Sequence, residues 1–148
     1  MNICEATVSD IRALMRLYLE HLTAHPPEEP QDERDWAELF AELIKDPDYH
    51  IFVGEAEGIV VSSVTLVVIK NLTHNLRPYA LIENVVTHSD FRGRGYASAL
   101  IDYANICAGE RGCYKIMLLT GSKKPETLRF YERCGFNKND KTGFIKRL

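Results

Sequence analysis

The chain has 148 residues, 45% hydrophobic and 26% charged, with a net charge of −3, a size and balance that fit one globular domain spanning 1–148. No apolar run approaches the roughly 20 residues of a membrane helix, MNICEATVSD carries no basic and apolar leader, and Cys4, Cys107, Cys113 and Cys134 show no CxxC spacing. These features speak against a membrane span, a secreted disulfide scaffold and a cysteine-ligated metal site, and they fit four reduced thiols in a cytoplasmic protein.

In chain order, residues 2–7 alternate weakly as a short first strand. Ser9 stands where a helix N-cap would, and Ile11, Leu14, Met15, Tyr18, Leu19 and Leu22 follow at helical spacing. HPPEEPQDERD (25–35) is an acidic, proline-rich connector. A second amphipathic helix carries Trp36, Leu39, Phe40, Leu43 and Ile44 on one face, a stripe that reads as core packing rather than a ligand site, and ends at Asp46-Pro47. Two strands, 49–55 and 59–70, are joined by a Glu-Gly turn. The polar segment 71–79 leads to a third strong strand, 80–88. A helix follows across YASALIDYANICAG and is closed by Gly109, and 114–120 is a further strand. PETLRFYERC (125–134) is a short helix with Pro125 in its first turn and Gly135 past its end. Phe136 and 144–148 read as two final short strands. The order β-α-α-β-β-β-α-β-α-β-β predicts an α/β (α+β mixed) fold, a mostly antiparallel sheet with helices on both faces and one parallel pair made by a right-handed crossover.

RGRGYA (92–97) sits between the third strong strand and the helix after it. Backbone N–H groups at a helix start have no partner inside the helix, and the helix dipole draws an anion to that end. Gly93 and Gly95 would let the backbone approach an anion closely, and Arg92 and Arg94 would add charge. The segment is not a P-loop, since GxxxxGK[ST] is absent, nor a dinucleotide GxGxxG, since Ser98 holds the third glycine position. What it does contain is R-x-x-G-x-A.

VVTHSDFRGRGYASALI resembles the acyl-CoA-binding segment of the GNAT superfamily of N-acetyltransferases, whose signature is Q/R-x-x-G-x-G/A. LRFYERCGF (128–136) resembles that family's FYxxxGF, some 35 residues further on, and the element order matches along essentially the whole chain. The resemblance implies the GNAT acyl-CoA N-acyltransferase fold and acetyl-CoA as cosubstrate. It implies that the amides of Arg92, Gly93, Arg94, Gly95, Tyr96 and Ala97 cradle the pyrophosphate, and that Val85, Val86 and Thr87 pair with the pantetheine arm. It further implies that a backbone N–H, that of Val86, stabilises the oxyanion, and that Tyr131 protonates the departing thiolate. Two departures stand out. KKPET (123–127) replaces an Asn often found before the FY helix, and Ser89 replaces the usual Pro after the strand. GCYKI with FYERCGF, and IENVV, are similar to glucosamine-6-phosphate N-acetyltransferases, yet the acidic residue those enzymes place after the GCYKI strand has no counterpart in LLTGSKK.

Glu83 is the candidate acceptor of the amine's proton, with ordered water as the alternative. In a regular strand Glu83 and Asn84 face opposite sides, so only one of them lines a cleft. His88 ends the strand as an alternative base or a solvated surface group. His21, His25, His50 and His74 lack HExxH spacing, so no metal is expected. Asn71, Arg77 and Tyr79 could touch an acceptor or simply shape a turn. Cys134 reads as packing rather than as a nucleophile.

The function implied is transfer of an acetyl group from acetyl-CoA to a primary amine by direct attack in a ternary complex, the acceptor being a small molecule such as an amino sugar. The alternatives are a protein or peptide amine, or a non-catalytic acetyl-CoA-binding regulatory module, for which an acid at position 131 would be of no use. Residues 1–87 carry six Lys/Arg against fifteen Asp/Glu, and residues 88–148 carry twelve against six. An acidic half that guides a cationic acceptor, through Glu28, Glu29, Asp32 and Glu33, is one reading of this split; solvated surface is the other. No nucleic-acid or membrane partner is indicated, and a homodimer is compatible with these features.

Overall fold

The computed structural model describes residues 1–22, 29 and 31–148. Its elements are β1 (Asn2–Glu5), α1 (Ile11–Leu17) prolonged by a π-helical turn (Tyr18–Leu22), α2 (Glu33–Leu43), β2 (Tyr49–Ala56), β3 (Ile59–Ile69), β4 (Tyr79–Thr87), α3 (Tyr96–Glu110), β5 (Ile116–Leu118) and α4 (Pro125–Arg133). The sheet runs β1-β2-β3-β4-β5, antiparallel except for the parallel β4–β5 pair. Strand alternation sorts the sheet's side chains into two cores. Phe52, Val64, Leu66, Ala80 and Ile82 pack under α3 through Leu100, Ile101 and Ala104. On the other face Ile51 and Val53 meet Leu14 of α1 and Phe40 of α2. Among the described residues no helix is long and apolar enough to cross a membrane.

Local chemistry sets the element ends. Ser9 is not the cap expected of it: its hydroxyl bonds that of Thr7 at 2.6 Å, while the Thr7 N–H donates to the Asp10 carboxylate at 2.7 Å, so the turn begins two residues earlier. α2 begins at Glu33, not Trp36, because Asp32 takes the cap and accepts the Arg34 N–H at 2.9 Å. Glu57 and Gly58 both have positive φ (55° and 77°), the mirror-image turn that suits the twist of a two-stranded hairpin. α3 runs through Gly109 and stops before Gly112, whose φ of 74° supplies the left-handed step.

The two final strands are absent. Phe144 is 92% exposed, and Ile145 and Leu148 are exposed too. β5 has only three residues and so offers a short edge, and the adjacent Phe144 and Ile145 would face opposite sides of any strand. The predicted strand 114–120 shrinks accordingly to Ile116–Leu118.

Candidate active site

The parallel pairing of β4 and β5 covers only Ala80–Ile82 against Ile116–Leu118. Beyond Ile82 nothing on β5 pairs with β4, so Glu83 to Thr87 present backbone groups to an open edge. At this point β4 is also irregular. Thr65 pairs with Glu83 and Ser63 with Val86, so β4 spends one residue more than β3, and Asn84 absorbs it at a φ of 51°. The left-handed step breaks the alternation that would have sent Glu83 and Asn84 to opposite faces. Asn84 lines a cavity beside Thr65, and Glu83 is Thr65's cross-strand partner. Both therefore serve one side, contrary to the regular-strand expectation.

The register also moves the candidate oxyanion donor. The His88 N–H donates to the Val61 carbonyl at 2.8 Å, and Val86 faces Ser63 in the same ladder. Antiparallel alternation then turns the Val86 N–H toward β3, and those of Val85 and Thr87 toward the open edge. Val86 does contribute its carbonyl, which accepts the Ser62 hydroxyl at 2.7 Å.

At the helix start Gly93 and Gly95 adopt φ of 74° and 84°, and Gly95 caps α3 with no side-chain hydrogen bond. The first helical bond runs from the Ala99 N–H to the Gly95 carbonyl, so the amides of Tyr96, Ala97 and Ser98 precede the ladder. A Cβ at position 93 or 95 would meet no protein atom within 4 Å, which leaves the space above the helix start open. Arg92 differs from its neighbours. Its N–H donates to the Ser89 carbonyl at 3.3 Å, and its guanidinium donates to the carbonyls of Thr87 (3.0 Å) and His21 (3.4 Å). It braces the loop against β4 and the π-helical turn. Arg94 lies over the Phe91 ring at 5.0 Å.

Tyr131 is half-buried on α4 and packs with Phe130 and Phe136 at the edge of the α3-side core. Burial first, then Cys134 and the Glu83 carboxylate, push its phenol above the ordinary 10.0, which keeps it protonated. Glu83 acts on Tyr49 in the same direction. One carboxylate thus acts electrostatically on the acid candidate on α4 and on a tyrosine of the cavity wall. Cys134 is unsuited to attack, since burial raises its thiol pKa. All four cysteines are free and partly buried.

The cavity measures about 390 Å³. The sequence reading passed over it as core. Its aromatic walls are Tyr18, Trp36, Phe40 and Tyr49, its aliphatic ones Leu39, Leu43 and Ile51, and its polar groups come from Gln31, Asp35, Thr65 and Asn84. The Tyr18 hydroxyl lies 3.3 Å from Ser63 Oγ. Thr65 is fully buried and its hydroxyl makes no well-formed hydrogen bond, although the hydroxyls of Tyr18 and Tyr49 approach it. A π-helical turn in α1 and a positive φ at Asn84 were the missed signals; neither is legible from residue spacing.

Burial is the first cause raising the phenols of Tyr18 and Tyr49 as well. A proton held more tightly in the folded chain adds stability that is complete below the ordinary 10.0 and is lost as pH climbs through the raised value. The thermal midpoint of Tyr18→Phe is therefore expected to fall less than that of the unaltered protein between about pH 9 and 11. Parallel curves would contradict this.

Other candidates are placed elsewhere. The Arg77 guanidinium donates to the carbonyls of Gly112 (3.1 Å) and Cys113 (3.2 Å), and Asn71 Nδ2 bonds Thr73 within its own turn. Tyr79 packs against Tyr114. His88 is not solvated surface: its ring lies 4.2 Å from that of His21 at a tilt of 54°, with its Nδ1 accepting the Asp90 N–H. Glu33 pairs with Arg12 at 2.6 Å and Asp32 caps α2, so two of the four acidic residues proposed to steer an acceptor have local partners. His25 and Glu28 lie outside the described residues. Among the described residues no group of three His, Cys, Asp or Glu is placed to hold a metal ion.

A family model described as "Acetyltransferase (GNAT) family" matches residues 11–136. A glucosamine 6-phosphate N-acetyltransferase from Trypanosoma brucei brucei is 30% identical over 135 residues, 90% of this chain and 86% of its own length. A solved structure from Agrobacterium tumefaciens strain C58 is 40% identical with a TM-score of 0.91, each chain covered in full. The solved glucosamine-6-phosphate N-acetyltransferase of Arabidopsis thaliana is 25% identical with a TM-score of 0.86, over 99% of this chain and 97% of that one.

Proposed function

The chain belongs to the GNAT family of acetyltransferases and has its fold, and on that footing we propose that it moves the acetyl group of acetyl-CoA onto a small primary amine by direct attack in a ternary complex. The observation that carries this reading is the convergence at the β4 bulge. Asn84 of the bulge lines the cavity, Glu83 is in register with Thr65 of its wall at the open edge of the sheet, and the Glu83 carboxylate raises the phenols of both Tyr131 and Tyr49.

The chemistry follows from that placement. The pyrophosphate rests on the amides after Arg92, from Gly93 to Ala97, with the Arg94 guanidinium beside it. The pantetheine arm lies along the open edge at Val85 and Thr87 and takes backbone hydrogen bonds there as an added strand would. A neutral amine nitrogen attacks the thioester carbonyl carbon and a C–N bond forms. The carbonyl oxygen takes the negative charge and is held by the Val85 N–H. When the C–S bond breaks, the electron pair goes to sulfur and Tyr131 supplies the proton. The proton released by the amine passes to Glu83, directly or through one water.

Gly95→Ala tests the cosubstrate site. The added methyl has room in the protein but projects where the pyrophosphate would lie, and the φ of 84° costs an alanine about 1–2 kcal/mol. Calorimetry should show acetyl-CoA affinity reduced tenfold or more, while the circular dichroism of the folded chain is retained. Unchanged affinity in the folded variant removes the cosubstrate assignment. For the same reason Gly95→Val, with a branched side chain at that φ, is a poorer probe.

A further inference from the structure

The same cavity identifies the kind of amine. We propose that the acceptor is a primary amine on an apolar body, of the arylalkylamine type, with no phosphate and few hydroxyls. The inference rests on the acetyl-transfer reading and goes beyond it, because the two glucosamine-6-phosphate N-acetyltransferases among the relatives above take their name from a phosphorylated amino sugar.

The argument starts from charge. A phosphate in a site of this size needs a cation or several aligned donors to replace its water. Among the described residues lining the cavity there is no Lys or Arg, and the one formally charged side chain is acidic, Asp35. α2 holds one cation, Arg34. Asp35, Trp36, Leu39, Phe40 and Leu43 form the cavity stripe, and at 100° per residue Arg34 projects from nearly the opposite side of the helix. The nearby Arg12 is paired with Glu33.

Polarity points the same way. Thr65 and Asn84 put polar groups at the sheet end of the cavity, beside the β4 bulge that carries Glu83, while Gln31 and Asp35 stand at the start of α2. The buried Thr65 hydroxyl, with no well-formed bond of its own, is free to meet one polar group of a ligand. A single amine nitrogen aimed at Glu83 satisfies that end. Beyond Asp35 the walls contributed by α2 are indole, phenyl and branched aliphatic carbon, which favour an apolar body over a sugar ring with a hydroxyl on every side. Asp35 adds attraction for an ammonium ion on its way in, before its proton is lost.

Trp36 is the only tryptophan in the chain and lines the cavity, so its fluorescence reports occupancy independently of catalysis. The experiment titrates the full chain, with acetyl-CoA present or replaced by desulfo-CoA, with 2-phenylethylamine, glucosamine and glucosamine 6-phosphate, and follows Trp36 emission and thiol release in parallel. The expected result is a saturable Trp36 change with 2-phenylethylamine and a kcat/KM roughly 100-fold or more above that for glucosamine 6-phosphate. Leu39→Lys supplies the missing cation at a position 56% exposed, where folding should survive, and should move that ratio at least about tenfold toward the phosphosugar. Glucosamine 6-phosphate turned over as well as or better than the arylalkylamine overturns the proposal. So does the absence of any Trp36 response to the amine. A saturable Trp36 response without thiol release upholds the class of amine that the cavity binds and overturns acetyl transfer, which separates the two readings.

Discussion

Replacing Tyr131 with phenylalanine is expected to lower kcat by roughly 10- to 1000-fold, the range of general-acid catalysis by one side chain, with little change in the dissociation constant for acetyl-CoA. A thiolate needs a proton or a strong hydrogen bond as the C–S bond breaks, and that need is absent while the thioester is merely bound. An interaction confined to the transition state appears in kcat and not in ground-state affinity. The surroundings suit the task. Burial, Cys134 and Glu83 all raise the Tyr131 phenol above its ordinary 10.0, so the acid form persists throughout the neutral range. The unaltered enzyme should accordingly lose kcat only on an alkaline limb above about pH 10, and the phenylalanine variant should lack that limb. If the ring only packs against Phe130 and Phe136, phenylalanine will serve almost as well. Turnover within twofold of the parent, with chemistry shown to be rate-limiting, would exclude the acid role.

Glu83→Gln is expected to cost about 10²- to 10⁴-fold in kcat/KM for the amine, again with intact acetyl-CoA affinity. Glutamine keeps the size and polarity of the side chain but cannot accept a proton. Raising the pH increases the neutral fraction of the free amine, so the loss should shrink toward alkaline pH if the carboxylate's task is deprotonation. Glu83 is exposed and pairs only through the backbone of β4 with β3, so the fold should tolerate the change. A loss below about fivefold at neutral pH would give the proton to ordered water and leave Glu83 as a bystander. Asn84→Gly is a useful companion. Glycine adopts the φ of 51° freely, so the bulge survives and only the amide is lost. Asn84→Val, in contrast, opposes that φ and should damage both stability and rate.

How much of this was legible in the chain differs from place to place. Much of the local chemistry was readable. Pro125 and Gly135 bracket α4, Glu57-Gly58 turns the hairpin, and runs rich in apolar and β-branched residues give β2, β3 and β4, because each depends on residues a few positions apart. The R-x-x-G-x-A loop was equally visible, since the positive φ of Gly93 and Gly95 is a property glycine carries with it. The starts of the first two helices were misplaced, the first because Thr7 and Asp10 close the turn that Ser9 was expected to cap, the second because Asp32 caps α2 inside the expected connector. The final strands failed because a strand needs a partner edge, and no residue within 144–148 records that β5 stops after three residues.

The candidate site divides along the same line. The amino-acid order by itself determined the helix start that can receive an anion, the tyrosine on α4, and the carboxylate of Glu83 in β4, all of which lie inside short motifs. Only the tertiary structure decided which backbone N–H of β4 faces the open edge, since that follows from pairing with β3 and from the residue absorbed at Asn84. It alone turned the α2 stripe from core into cavity wall. Spacing shows that Trp36, Leu39, Phe40 and Leu43 share a face. Whether that face is filled depends on how α2, the π-helical turn at Tyr18 and β3 are set apart, and that separation is fixed by contacts distant in sequence.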